Sequence, residues 1–307
     1  MERITVLCGG VGAARFLSGL VDVVDPAQVT AIVNVADDDE FHGLRVSPDI
    51  DTILYTLGGL VHEEQGWGRR DETFTAQTEL ARLGEDAWFR LGDKDLAMHI
   101  HRTRLLAEGH SLTDAVDRIR RTLGIGVAIL PATDGRQRTR VRTDAGWIGF
   151  QEYFVKRRAA DDVRELRFEP EAAPTDRVRA AIADADIIVI APSNPFVSIG
   201  PILTLTGLRD DIHGARACVV AVSPIVGGLA IKGPAAAMLA AFGHEVSALG
   251  VARLYANIAD AFVLDIEDAS LAPAIAELGL TTSVMPTIMR DRATRAELAR
   301  ATIAAAR

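Results

Sequence analysis

Two kinds of hydrophobic pattern alternate at both ends of the chain. Ile4 to Leu7 make a short, mostly apolar run, the residues after the next glycines carry apolar positions three and four apart, and TAIVNV is a second apolar run leading into acids. This predicts strand, helix, strand. Between about residues 61 and 170 the pattern changes: WGRRDETFTAQTELARLG and DLAMHIHRTRLLAEGHSLTDAVDRIRRTLG have helical spacing. RTRVRTDAGWIGFQEYFVKRR alternates on both sides of Asp144-Ala145-Gly146 and predicts a hairpin. From about 175 the first rhythm returns, with helix TDRVRAAIADA, strand DIIVIAP, strand ACVVAVSP, helix GPAAAMLAAFG, strand DAFVLDI and a closing helix after Asp291. Neither a low-complexity linker nor an internal repeat interrupts it.

The expected class is therefore α/β: a mostly parallel sheet with helices on both faces and right-handed crossovers. Residues 1–60 and 171–307 form the core of this reading, and 61–170 an inserted, mainly helical region with a β-hairpin. Ligands in such folds sit outside the carboxyl ends of the strands. The unusual residues of this chain gather at those ends: the glycine turn after strand one, the aspartates after strand two, Ser193-Asn194-Pro195, and Ser223-Pro224 with Gly227-Gly228.

Composition narrows the function. The chain has 307 residues, 49% of them hydrophobic and 24% charged, enough for a substantial core. A net charge of −9 argues against broad contact with nucleic-acid phosphates but leaves room for a nucleotide in a local pocket. MERITVLCGG has too short an apolar run for a signal peptide, and no later segment reaches about 18 apolar residues, so a cytoplasmic protein without membrane contact is expected. Cys8 and Cys218 each sit in an apolar run and read as core packing.

Gly9-Gly10-Val11-Gly12 permits a sharp turn and brings bare backbone N–H groups to an anion at the start of the next helix. Arginine at position 15 occupies the third glycine position of a dinucleotide fingerprint, and no Gly-Lys-Ser/Thr follows, so neither an NAD signature nor a P-loop is complete. A tight turn without ligand uses the same residues. The stretch NVADDDEFHGLRVSPDID, beginning at Asn34, is acidic at six of its eighteen positions. Like charges this close need a cation or full solvation. Phe41, Leu44, Val46 and Ile50 interleave with the acids, which a solvated loop has little use for. Hard oxygen ligands suit magnesium, held through one or two carboxylates plus substrate phosphates, and Asp37 and Asp51 are the expected pair.

The remaining motifs have a chemical and a plain reading. Ser193 and Ser198 offer hydroxyls to phosphate and Asn194 a donor and acceptor to a base or ribose, or Asn194-Pro195 is simply a turn. Lys232 stands just before Pro234, either over an anion at a helix start or on the surface. His99 and His101 are two apart and point in different directions on a helix, which does not support a zinc site. Trp67 and Trp88-Phe89 either stack on a planar ring or pack. Neither G-x-S-x-G nor HExxH occurs. These residues point to a nucleotide diphosphate held by metal and backbone amides.

CGGVGAARF, NVADDDEFHGLRVSPDIDTILYTLGG, GWGRRDETF, LGDKDLAMHIHRT, APSNPFVSIGPIL and SPIVGGLAIKGPA resemble, in order and spacing over nearly the whole chain, the 2-phospho-L-lactate transferase family (CofD/FbiA type) of coenzyme F-420 biosynthesis. The resemblance implies a Rossmann-like core with an inserted region and a magnesium-dependent enzyme. Such an enzyme moves a phospholactyl or phosphoenolpyruvyl group from a guanosine diphosphate conjugate of a three-carbon acid to the terminal hydroxyl of the deazaflavin Fo, releasing GMP. It also implies a homodimer. On this reading Asp37 and Asp51 hold magnesium, and Asp38 and Asp49 are further ligands or orient the hydroxyl. Gly9, Gly10 and Gly12 with Asn34 line the phosphate turn. Ser193, Asn194, Ser198, Ser223, Gly228 and Lys232 hold the guanosine phosphate half, and Trp67, Asp93 and His99 cradle the deazaflavin. The alternative is a sister family of non-catalytic, sugar-nucleotide-binding regulators, in which glycine and serine directly follow the paired aspartates; here Asp39-Glu40-Phe41-His42-Gly43 follows.

Overall fold

The computed structural model describes residues 2–307. Strand β1 (Ile4–Cys8) is buried at every position, as a strand covered on both faces must be. Gly9 ends it, and α1 (Gly10–Leu20) turns Ala13, Ala14, Phe16, Leu17 and Leu20 inward. Burial of a side chain such as Phe16 stabilises the fold by about 1.5–3 kcal/mol. β2 (Val29–Val33) returns parallel to β1. A hairpin of β3 (Asp39–Phe41) and β4 (Leu44–Val46) follows, turned by His42 and Gly43 at positive φ. α2 (Pro48–Leu57) then starts with proline in its first turn, where the missing N–H costs nothing.

Helices α3 (Thr75–Arg82), α4 (Asp93–Ala107) and α5 (Leu112–Thr122) come next. Ser111 separates the last two, its hydroxyl accepting the Asp114 N–H as an N-cap. β5 (Ala128–Pro131) pairs with β2. β6 (Arg138–Thr143), β7 (Gly146–Gly149) and β8 (Glu165–Glu169) make a separate antiparallel sheet with β6 in the middle. The expected hairpin is present, with Gly146 at φ +103°. The second half runs α6 (Asp176–Ala183), β9 (Ile187–Ile190), a π turn over Pro195–Ile199, α7 (Gly200–Leu203), α8 (Leu208–Gly214) and β10 (Cys218–Val222). A hairpin of β11 (Ile225–Val226) and β12 (Leu229–Ala230) precedes α9 (Ala235–Ala241), α10 (Ala248–Tyr255), β13 (Ala261–Leu264), α11 (Ala272–Ala276), β14 (Thr281–Val284) and α12 (Arg292–Ala304).

The main sheet has seven strands in the order β14-β13-β10-β9-β1-β2-β5, every neighbouring pair parallel. One apolar layer packs α1, α2, α5 and α12 on one face, and a second packs α6 through α11 on the other. This is the Rossmann-like α/β arrangement. From β1 the chain passes to β2 on one side and returns to β9 on the other, so the β1/β9 boundary is the topological switch point.

Three expectations change. The stretch 61–170 is not one separate insertion, because α5 packs in the core and β5 forms the edge of the main sheet beside β2. Of the residues from Trp67 to Gly84, only Thr75–Arg82 is helical. β14 was not foreseen, since TTSV is a short, partly exposed edge strand without an apolar run. The C-terminal helix packs on its own core: a Cβ at Gly19 of α1 would lie 2.3 Å from the Arg295 carbonyl, so the two helices cross in contact. Among the described residues no helix is long and apolar enough to cross a membrane.

Candidate active site

At the β1/β9 switch point a cavity of about 1080 Å³ opens, at the top of the usual range for small-ligand sites. The loops after β1, β2, β9 and β10 contribute to its wall, together with α2, α4 and the segment before α12. The glycines are there because backbones touch. A Cβ on Gly12 would lie 2.2 Å from the Pro192 carbonyl oxygen, and one on Gly9 would lie 2.5 Å from Asp49 Oδ2. Gly10 adopts φ +71°, and its N–H stabilises the Asp49 carboxylate. Asp49 thus stands against the glycine turn at which a phosphate was expected.

The aspartates separate into two sets. Asp37 and Asp49 are buried, line the cavity and repel each other. Burial and then Asp49 push the Asp37 carboxyl well above its ordinary range, and burial raises Asp49 to about 6. Each is held in place. Asn34 Nδ2 donates to Asp49 Oδ2 at 2.9 Å and to the Val197 carbonyl at 3.2 Å. Thr139 Oγ1 donates to Asp37 Oδ1 at 3.2 Å, and Gln151 Nε2 to the Asp37 carbonyl at 2.8 Å, so the smaller sheet anchors this loop. Two repelling carboxylates on a cavity wall fit a magnesium ion, which takes one or two carboxylates and leaves other positions to substrate oxygens. Among the described residues no three His, Cys, Asp or Glu side chains gather into an all-protein metal site.

Asp38 and Asp51 are already partnered. Asp38 Oδ2 accepts from Arg45 and from Ser47 Oγ at 2.7 Å; burial still raises its carboxyl to about 7, and it does not line the cavity. Both Asp51 oxygens accept from the guanidinium of Arg102, a side chain with 0% exposure. Asp51, expected beside Asp37 on the metal, also lines the cavity, but Arg102 engages both its oxygens, and Asp49 is the carboxylate whose charge bears on Asp37. Sequence reading missed Arg102. Its signal was the spacing Asp95, His99, Arg102, which places three polar side chains on one face of α4.

That face forms a buried polar layer against α2. Tyr55 donates to Asp95 at 2.5 Å, and His99, 1% exposed, lies with Nε2 3.4 Å from Asp95 and Nδ1 3.8 Å from Asp51. Burial raises the Asp95 carboxyl, but His99, Tyr55 and Arg102 outweigh it and leave it below its ordinary value. Tyr55, Asp95 and His99 line the cavity, whereas His101 points away and is exposed.

The other expected residues have mixed fates. Ser193 donates to the Gly9 carbonyl at 2.9 Å, tying the β9 loop to the β1 loop, and Ser198 lines the wall beside Gly9. Asn194 caps the π turn through its Oδ1, which accepts from Phe196 and Val197, and Ser223 bonds Ile225 within its own turn. Gly228 lies off the cavity: with Gly227 it makes a two-residue hairpin turn in which both residues have positive φ. Asp93 is also off the cavity, accepting from Thr73 and from the Thr75 and Ala76 amides. Lys232 lines the cavity and donates to the Gln65 carbonyl at 2.6 Å. Trp67 is 53% exposed at the cavity, where Tyr55, Phe74, Trp88, Phe89, Phe150 and Phe154 also gather, in a chain only 5% aromatic. Phe150 and Phe154 stack at 5.5 Å, and Phe41 stacks on Phe89 at 4.0 Å.

The family described as 2-phospho-L-lactate transferase CofD matches residues 4–298 of the chain. The protein belongs to the 2-phospho-L-lactate transferase CofD family. It is thus a transferase. A phosphoenolpyruvate transferase of Kitasatospora aureofaciens is 42% identical over 99% of this chain and 98% of that protein. A 2-phospho-L-lactate transferase of Methanocaldococcus jannaschii is 38% identical over 93% of both. Among solved structures, a UPF0052 family member from Bacillus halodurans superposes with a TM-score of 0.66 over 98% of both chains at 16% identity, a likeness of fold alone.

Proposed function

We propose that this CofD-family transferase moves a phosphoenolpyruvyl or phospholactyl group from a guanosine diphosphate conjugate to the terminal hydroxyl of the deazaflavin Fo, with GMP leaving. The observation that carries the reading is one cavity with two unlike walls. The Asp37/Asp49 side with the glycine turn suits a metal-bound diphosphate, and the aromatic side suits a planar ring system.

The chain's own residues position rather than react covalently, as phosphoryl-type transfer requires. Asn34, Thr139 and Gln151 fix the two carboxylates, and Gly9, Gly12 and Ser193 hold the loops that carry them. Asp37 and Asp49 are the residues that would hold magnesium; what it supplies when bound is neutralisation of the diphosphate charge. In the transfer, the acceptor oxygen forms a bond to the phosphorus bearing the acid, the bond from that phosphorus to the bridging oxygen of GMP breaks, and the hydroxyl proton is released. The buried layer of Tyr55, Asp95 and His99 borders the cavity on the α4 side, close to the aromatic wall. Family resemblance and composition also support a cytoplasmic homodimer.

The relatives named phosphoenolpyruvate transferase support phosphoenolpyruvate over phospholactate as the transferred unit. Incubation with Fo, magnesium and the guanosine conjugate, read by mass spectrometry, tests the reading against that of a binding-only regulator. A transferase gives an Fo adduct and GMP, and a regulator returns both substrates unchanged.

A further inference from the structure

Four cationic side chains line the cavity, Arg15, Arg69, Arg90 and Lys232, and among the described residues none has a carboxylate within 4 Å. Elsewhere ion pairs are plentiful, so four unpaired cations on one wall leave a charge for a ligand to meet. Two of the four have other company: Arg90 lies 4.2 Å from the centroid of Phe74, and Arg69 lies 5.5 Å from that of Tyr55. Arg15 and Lys232 stack on no ring and converge on one point. A Cβ built on Gly66 would stand 3.4 Å from Lys232 Nζ and 3.5 Å from Arg15 Nη2.

We propose that Arg15 and Lys232, roofed by the Gln65–Gly66 backbone, form an anion subsite that takes the carboxylate of the transferred three-carbon acid. This rests on the transferase reading above and adds to it the group that recognises the acid. The chemistry favours a carboxylate here. The diphosphate's charge would be met by magnesium held at Asp37 and Asp49, whereas the acid's charge has no partner on that side. Arg15 lies five residues beyond Gly10, about 7.5 Å along the helix axis, and helical side chains lean toward the N-terminus, so its guanidinium reaches back toward the glycine turn. A guanidinium fork matches a carboxylate with two parallel bonds, and Lys232 adds a point charge beside it. Each cation is disfavoured as things stand: burial and then Arg15 lower Lys232, and burial and then Arg295 lower Arg15. A bound carboxylate relieves both.

The roof sets the size of the subsite. Gly66 has φ +75°, and a side chain there would press on Val11 at 2.7 Å. Lys232 is tethered to the Gln65 carbonyl at 2.6 Å, so the lysine once expected on the guanosine phosphate is instead drawn toward this roof.

Titration calorimetry without acceptor tests the subsite, using GDP and the guanosine conjugate of phosphoenolpyruvate as the two probes with magnesium present. Arg15→Gln and Lys232→Gln are expected to weaken the conjugate ten-fold or more while GDP changes less than two-fold; the unchanged GDP affinity also reports that the variants are folded. Gly66→Ala should show the same selectivity for a steric reason. Equal losses for both probes would place the cations on the phosphates and overturn the proposal, as would no loss for the conjugate. A parallel turnover assay separates the two readings. Wild-type protein that transfers but gains nothing from the acid overturns the subsite alone, and protein that binds neither probe overturns the transferase reading and the subsite with it.

Discussion

Asp49→Asn is the substitution that best isolates the carboxylate pair. Burial moves the Asp49 carboxyl from the ordinary 3.8 to about 6. For an acid raised in the folded state, the cost is absent below the unfolded value, grows between about pH 4 and 6, and is complete above. At pH 7 it amounts to about 3 kcal/mol. Asparagine removes that charge, but it replaces one carboxylate oxygen with an NH2 group and so leaves one of the two donors, Asn34 Nδ2 or the Gly10 N–H, without its acceptor, a loss of about 1–2 kcal/mol. In metal-free buffer at pH 7 the variant should therefore be more stable than wild type by about 1–2 kcal/mol. Magnesium at one hundred times its dissociation constant should stabilise wild type by about 2.7 kcal/mol and the variant hardly at all, which inverts the order. Denaturant midpoints with chelator and with magnesium give both numbers. A variant that is less stable in chelator and gains as much from magnesium as wild type would refute the pair as a metal site.

Other substitutions separate structure from chemistry. Asp51→Asn leaves the Arg102 guanidinium buried without a counter-charge and should cost about 3–5 kcal/mol in denaturant unfolding, with the Asp51→Asn/Arg102→Met double variant recovering much of it. Gly12→Ala forces a Cβ onto the Pro192 carbonyl at 2.2 Å, so thermal unfolding should drop by more than about 2 kcal/mol and transfer should be lost. Trp67→Ala, at an exposed position, should change stability by less than about 0.5 kcal/mol while raising the KM for Fo in steady-state assays and leaving the donor KM alone.

Much of this site can be read in the chain before folding. Apolar runs marked β1, β2, β9, β10 and β13, because parallel strands covered on both faces keep few polar positions, here only Thr5 and Thr30. The rule that ligands collect at strand ends then brought the glycine turn, the aspartates and Ser193 to one place. β5 and β14 were less legible: β5 is a four-residue strand between a helical stretch and the hairpin, and β14 is a partly exposed edge. The roles of individual aspartates were not legible either. Spacing alone cannot tell Asp49 from Asp51, two residues apart on α2; the difference lies in Arg102, more than fifty positions away, which reaches one and not the other. Asn194, Ser223 and Asp93 were ambiguous for a related reason, since residues that suit a ligand also suit a turn: all three bond backbone here, with Asn194 and Ser223 still on the cavity wall and Asp93 off it.

The central claim is transfer of the phosphorylated acid from GMP to the deazaflavin hydroxyl, and a single-turnover reaction with limiting guanosine conjugate, excess Fo and magnesium tests it most directly. Mass spectrometry of the quenched mixture should show Fo carrying the intact phosphorylated acid and one equivalent of GMP, with neither formed by Asp49→Asn. An Fo–GMP adduct, free phosphorylated acid without an Fo product, or full turnover by the variant would contradict the account.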